Sequence, residues 1–541
     1  MSIFSIGMSG LNAAQVALKT TSNNVSNVYT PGYNREITVL SQRASGGVVV
    51  TDVERQFNHF VASQLNSATT DTGYLTRYES EISQIDNLLA DSDAGLAPMM
   101  QKFFAALQQL AGTPADSAAR QGVIGTADTL SAQFRSLAGY LSEMQDGVAA
   151  QLRSEVEEIN TLASQIAKLN EEIATSRGRS SGVPNALLNE RDHLVNQLSS
   201  HIDVQVHIQD GGSYNLTIGN GQPLVSGHRS YALTTMTSSY DSSRVVVGYK
   251  DSAGNARELS ETTFRGGAVG GLLAFRSETL DKAQNQLGQL AVTLALAYNA
   301  QHAAGVDLSG ANGQDMFSFN QPVLFSHRSN AGSAVLSAAF DTATSPQGLT
   351  GSDYDLRVTD AANGEFEVVR RDGGGSFSVT LDGNELRFDG LVLTIDDPAL
   401  LQDGDRFNLQ PTRRAAEAFT NLIHDPAQIA ASQAGADGDN RNALALLDLQ
   451  NQHIFGGRFT LTQGYMRLVN DVGNRANVVQ INLKAQEALT EQIHAMQQAE
   501  SGVNLDEEAI NILRYQQYYQ ANAKLIETGG MLLDVILNMR A

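Results

Sequence analysis

The sequence predicts an α+β multidomain chain. Its N- and C-terminal helices pair in a coiled-coil-like helical body, and β-rich domains are inserted in the middle. Three observations carry this reading. Apolar residues recur in heptads at both ends of the chain. After residue 201 the apolar period changes to two, and turn-forming glycines punctuate the stretch. A helical pattern then returns, gives way to a second β-rich stretch, and returns again. With 541 residues, at roughly 150 per domain, three or four domains are expected.

The first element is a helix of about 25 residues. Phe4, Leu11, Leu18 and Val25 fall seven apart, and Met8 joins their stripe. It ends at Asn27-Val28-Tyr29-Thr30-Pro31-Gly32, because Pro and Gly cannot continue it. Residues 47–53 read as a short strand, and 56–200 as helical. Within that block Leu152, Ile159, Ile166 and Ile173 repeat at seven, with Leu162 and Leu169 between them, an a/d seam. Residues 177–184 break the helix, and a further helix spans about 185–200. Ile202, Val204, Val206 and Ile208, then Leu216 and Ile218, open a β stretch that runs to about 262. A long helix is expected over Leu272 to His302, β structure over 313–412, and helix from 414 onward.

The last helix has the clearest amphipathic pattern. Ile512, Tyr519, Ile526 and Leu533 hold one heptad position, and Tyr515, Asn522, Gly529 and Ile536 the position three later. Tyr518, Leu525, Leu532 and Met539 widen the stripe. Its polar face is rich in amides rather than charges, which suits packing against copies of itself. An isolated amphipathic helix is marginal without a partner face. Both terminal helices are therefore expected to be largely disordered in a free monomer.

The nested order gives four parts. They are an inner terminal-helix domain of 1–45 with 500–541, a helical body of 46–200 with 263–304 and 413–499, a β-rich insert of 201–262, and an outer β-rich insert of 305–412.

Composition narrows the function. Lys and Arg total 36 against 58 Asp and Glu, a net charge of −22. Such a surface repels phosphate backbones and anionic lipid, so neither nucleic acid nor membrane is expected as a partner. There is no cysteine, which excludes disulfides, thiolate metal sites and cysteine nucleophiles. No positive charge precedes Lys19, so the N-terminus does not read as a cleaved signal peptide.

A search for chemistry returns little. No zincin or P-loop motif is present. Gly219-Asn220-Gly221 fails the dinucleotide fingerprint, and Gly266–Gly271 reads as a tight strand-to-helix turn rather than an anion site. His201 and His207 would share one strand face without a third metal ligand. Asp437-Gly438-Asp439 begins like a calcium loop, but Arg441 falls where an oxygen is needed. Arg191-Asp192 reads as an ion pair holding a helix to its neighbour. No catalytic residue, cofactor or metal is expected.

The stretch Asn23, Asn24, Asn27, Thr30, Pro31, Gly32 and Tyr33 resembles the N-terminal signature of the bacterial flagellar axial proteins. Gly502 to Glu508 with Arg514 to Lys524 resembles that group's C-terminal signature. Within the group, Asn185–Leu198, Gly267–Glu278 and Asn299–Leu308 are similar to the hook-associated protein 1 family, with weaker support from Gly404–Arg413. The resemblance implies a structural adapter that forms a homo-oligomeric ring at the hook–filament junction. It implies the flagellar hook protein on one side, hook-associated protein 3 on the other, and an export chaperone before secretion. Localisation would be extracellular, through the flagellar type III route. The assembly interface would comprise Phe4, Met8, Leu11, Leu18 and Val25 on the first helix. On the last helix it would comprise Ile512, Tyr515, Tyr519, Asn522, Leu525, Ile526, Leu533 and Ile536. Two alternatives stay open: a hook or other axial polymer subunit, and an enzyme or adhesin displayed on the flagellar scaffold.

Overall fold

The computed structural model describes residues 3–539 except 45, 90–94, 180–183, 220, 252, 343, 436 and 437. Asn220, Asp437 and residues 180–183 of the expected break at 177–184 lie outside the described residues; Arg177–Arg179 still belong to the helix before it.

Helix α1 (Ile3–Ser26) leads through the signature turn into a hairpin of β1 (Glu36–Gln42) and β2 (Val48–Arg55). The strand expected at 47–53 is thus the second of a pair. Four helices follow: α2 (His59–Leu89), α3 (Leu96–Gly112), α4 (Ser117–Arg179) and α5 (Asn185–His201). At 63 residues, α4 is about 95 Å long. Its predicted seam is real: Leu152, Ile159, Leu162, Ile166, Leu169 and Ile173 are all buried.

Next come β3 (Val204–Ile208), β4 (Tyr214–Ile218), β5 (Gln222–Ser226) and β6 (Arg229–Ser230), one antiparallel sheet, then β7 (Leu233–Thr237), β8 (Val245–Lys250) and β9 (Ala256–Glu258), another. Ile202 caps α5 rather than opening the strand. Tyr214, Leu216, Ile218, Leu224 and Val247 merge with the apolar residues of α2 to α5 in one core.

The middle helix begins earlier than expected, as α6 (Gly267–Phe275), and continues after a π-type turn at Arg276–Leu280 as α7 (Asp281–Ala303). Gly267 has φ +68°, and a Cβ there would meet the Ile202 nitrogen at 2.4 Å. The glycines at 266–271 therefore serve close packing against α2 and the end of α5.

The outer segment supplies β10 (Phe317–Ser318), β11 (Val323–Ser326), β12 (Leu336–Phe340), β13 (Tyr354–Asp360), β14 (Glu365–Arg370), β15 (Ser376–Thr380), β16 (Glu385–Phe388), β17 (Leu391–Ile395) and β18 (Arg406–Gln410). A five-stranded sheet, β11-β18-β13-β14-β15, and a three-stranded one, β12-β17-β16, enclose a second core. Val292 of α7 reaches into it.

The expectation of helix from 414 onward is corrected. Residues 414–460 hold short 3-10 turns, β19 (Thr420–Asn421) paired with β10, and only α8 (Arg441–Asp448). Long helix resumes at α9 (Leu461–Ser501), whose start is fixed by a capping box between Thr460 and Gln463. After Gly502-Val503-Asn504, α10 (Leu505–Asn538) runs for 34 residues, about 50 Å. Among the described residues no helix is long and apolar enough to cross a membrane.

Candidate assembly interface

The two terminal helices pack on each other, antiparallel. Gly10 lies against Asn522, Gly7 against Leu525 and Ile526, and Ile3 and Phe4 against Gly529. The contact is made by small residues. Gly7, Ala13, Ala14, Ala17, Thr20, Thr21 and Asn24 are the buried positions of α1. A Cβ at Gly10 would meet Asn522 Oδ1 at 2.2 Å, and one at Gly529 would meet Ile3 Cγ2 at 2.5 Å. Both helices have ordinary backbone angles there, so glycine serves close approach: a larger residue would have to displace the Asn522 side chain or those of Ile3 and Phe4. A Gly10→Leu replacement is therefore expected to drive α1 off α10, read as loss of helix signal and faster hydrogen exchange at both termini. The cores of the body should be unaffected.

Of the stripe predicted on α1, Phe4 lies against Gly529, Leu11, Leu18 and Val25 are half-buried, and Met8 is exposed. On α10, Asn522 and Ile526 face α1 with Leu525 beside them, and Ile512 and Tyr515 are half-buried near the base. Tyr519, Leu533 and Ile536 are exposed. The seam missed by the sequence reading had its own signal: Gly7, Ala14 and Thr21, with Gly10, Ala17 and Asn24, form a heptad of small residues.

The helices differ in length, and this leaves one end bare. Ile3 already reaches Gly529, so α10 runs on past α1. Met531, Leu532, Leu533, Val535, Ile536, Leu537 and Met539 are 45–83 % exposed. A contiguous apolar surface of this kind marks a binding face. Ile510, Leu513 and Tyr518 extend it down the outer side of α10.

The signature turn anchors the base of this pair. Asn24, almost fully buried, treats Glu36 as a strand partner. Its Oδ1 accepts from the Glu36 N–H and its Nδ2 donates to the Glu36 carbonyl, both at 2.9 Å. The Tyr33 hydroxyl donates to Asn24 Oδ1 at 2.8 Å and accepts from Asn23 Nδ2. Burial, then the Glu36 charge, pushes the Tyr33 pKa well above the phenol range. Asn27 Nδ2 returns to the Asn23 carbonyl, and Thr30 donates to Asn27 Oδ1 at 3.1 Å. Gly32 has φ +76°, and a Cβ there would strike His193. Pro31 is exposed at the tip. Asn34 then donates to Asn189 Oδ1 on α5 at 2.8 Å. The turn thus ties α1, the hairpin and α5 together.

The other sequence candidates resolve into packing. His201 ends α5 rather than sitting on a strand, so it shares no face with His207; it pairs with Glu155 at 2.6 Å. Arg191 and Asp192 do not pair with each other. Arg191 stacks on Tyr214 and donates to Asn170 Oδ1, while Asp192 takes Arg55 at 2.6 Å. Asp439 pairs with Arg441. A cleft of about 780 Å³ between the turn, α5, β3 and the end of α9 is lined by His59, His193, His207 and His494 among amides. Among the described residues no three His, Asp or Glu are placed to share a metal ion.

A helical body carrying a paired-terminus rod with an exposed apolar end is the arrangement on which the class of the protein rests. Comparison with known proteins gives the family. A model of the flagellar hook-associated protein FlgK helical domain matches residues 82–317. A flagella basal body rod protein model matches 4–34, and a flagellar basal body rod FlgEFG protein C-terminal model matches 497–539. The chain is 40% identical to flagellar hook-associated protein 1 of Salmonella typhimurium over 100% of both chains. It is 39% identical to that of Escherichia coli, again over 100% of both. The solved structure of the flagellar hook junction protein FlgK from Burkholderia pseudomallei superposes with a TM-score of 0.75 at 30% identity, covering 81% of this chain and 100% of that one. The chain belongs to the flagellar hook-associated protein 1 family, and its role is that of a structural component of the flagellum at the hook–filament junction.

Proposed function

We propose that the chain is a non-catalytic adapter that forms a ring between hook and filament, joined through its terminal helices. The observation that carries this is the end of α10 from Met531 onward, whose apolar side chains all stay exposed within their own chain. Copies of the same helix are its natural cover, because its apolar positions keep heptad spacing and Asp534 is the one charge between Met531 and Met539. The terminal pair, 1–45 with 500–541, lies innermost in this reading. The helical body surrounds it, and the β segments 201–262 and 305–412 face outward. The flagellar hook protein and hook-associated protein 3 are its axial neighbours. A chaperone masks the α10 stripe until the chain is exported, without a cleaved signal, to the extracellular organelle.

Location tests the reading. A small tag inserted between Gly374 and Gly375, in the exposed turn between β14 and β15, is imaged on intact cells by electron microscopy. A single band where hook meets filament is expected. Label along the whole hook or filament would make the chain a bulk subunit. Label absent from the organelle would remove the assembly reading.

A further inference from the structure

The two signatures, one at each end of the sequence, meet at a single residue. Arg35 follows the N-terminal turn. Its backbone N–H donates to the Ser501 carbonyl at 2.8 Å, and its own carbonyl accepts from the Gln56 N–H at 2.8 Å. Its guanidinium then forks. Nε donates to Glu508 Oε1 at 2.7 Å, and Nη1 donates to Glu507 Oε2 at 2.7 Å. The Glu508 side chain is 2 % exposed and that of Arg35 16 %. The pair is thus desolvated on one prong and open on the other.

What the fork spans is a bend. Only Gly502, Val503 and Asn504 separate α9 from α10. Asn504 caps α10 by accepting from the N–H groups of Asp506 and Glu507. That cap fixes where the helix starts but not where it points. The extensive packing of α10 is with α1, which leans on the β1–β2 hairpin. Arg35 sits at the root of that hairpin and is held by backbone bonds to Ser501 at the end of α9 and to Gln56, just past β2. It is therefore placed to connect the direction of α10 to the body. A fork of two charge-assisted bonds gives angular definition that a point charge does not.

We propose that Arg35 is a positioning residue. Its fork on Glu507 and Glu508 holds the α9–α10 bend at one angle, so that the terminal pair is presented to neighbouring subunits in a fixed direction. This rests on the reading of the terminal pair as the assembly element.

The chain has no cysteine, so spin labels go only where they are placed. Gln64→Cys on α2 and Gln520→Cys on α10, both exposed, report the angle of the free full-length chain by pulsed dipolar spectroscopy. The native chain gives one narrow distance distribution. Arg35→Ala broadens it about twofold as the bend becomes a hinge, while the thermal melt of the body is unchanged. Arg35→Lys recovers part of the width, and Arg35→Glu with Glu508→Arg recovers more than either change alone. The junction band in labelled cells weakens with the broadening. If Arg35→Ala fails to fold, Glu507→Gln with Glu508→Gln is measured in its place. A distribution already broad in the native chain, one left narrow without the fork, or broadening with the junction band unchanged would overturn the proposal. Ile536→Asp separates the two ideas: it leaves the distance distribution intact and removes the band. If it removes neither, the assembly reading fails while the angle result stands.

Discussion

Replacing Arg244 by methionine lowers the stability of the folded chain by about 3–5 kcal/mol, the range for removing one partner from a buried ion network. The network sits where the body and both β segments meet. Arg244 donates to Asp281 at 2.8 Å and pairs with Glu261 at 3.2 Å. Arg276, in the π turn, pairs with Glu261 at 2.7 Å and donates to the Val245 carbonyl. Arg413 pairs with Asp281 at 3.1 Å and with Asp353. Without Arg244, the buried Asp281 and the partly buried Glu261 each lose a counter-charge. Arg244→Lys restores the charge but not the fork, so the urea midpoint should recover only in part.

The same network sets an acid limb. Burial alone would raise the Asp281 pKa. Arg244, then Arg413, outweigh it and hold the pKa at about 2, below the ordinary 3.8. A carboxylate held below its unfolded value contributes stability above about pH 4 and loses it as pH falls towards 2. Asp353 has the opposite sign, since burial lifts its pKa above 3.8 against the pull of Arg413. Its protonation on acidification favours the folded state. In Arg244→Met the Asp281 pKa rises. The loss of stability between pH 4 and 2 is then smaller than in the native chain, as a series of urea melts across that range would show.

The second large effect lies at the other end of the molecule. Leu533→Asp with Ile536→Asp is expected to leave the melt of the free chain within about 0.5 kcal/mol of native, because both side chains are exposed there. Incorporation into flagella should fall by at least about tenfold. A carboxylate enclosed in an apolar helix contact costs more than the 1.4 kcal/mol that corresponds to that factor. The readout is the ratio of junction-bound to secreted chain in labelled cells. An equal ratio in native and variant chains would mean that distal α10 is not covered in the organelle.

These two sites differ in how far the sequence reveals them. The terminal helices are legible because a heptad of Ile, Leu and Tyr survives over 34 residues of α10. Within the chain the contact between them rests on small residues that the apolar stripe does not include. On α1, Gly7 and Gly10 let Leu525, Ile526 and Asn522 approach closely, while Ile3 and Phe4 lie against Gly529. The pairing of the two termini is itself expected from the heptads at both ends, and each helix has a partner face in the other. Strand β1 follows the signature turn directly, in a stretch to which the residue pattern assigns no element. The tract 414–460 reads as helical from its alanines and leucines, but its backbone follows the surfaces of α3, α4 and α7 in short turns. The ion network was not legible at all. Its six side chains are spread from Arg244 to Arg413, and only folding brings them together.

Solvent access to Ile536 in and out of the organelle tests the central claim most directly. An Ile536→Cys chain, carrying the single thiol of the protein, is treated with a maleimide as free monomer and as purified flagella, with Gln452→Cys in an exposed body loop as the reference. Rapid modification of both thiols in the monomer, with Ile536→Cys alone protected in the organelle, is the predicted result. Equal reactivity of Ile536→Cys in monomer and organelle would contradict assembly through the terminal helix.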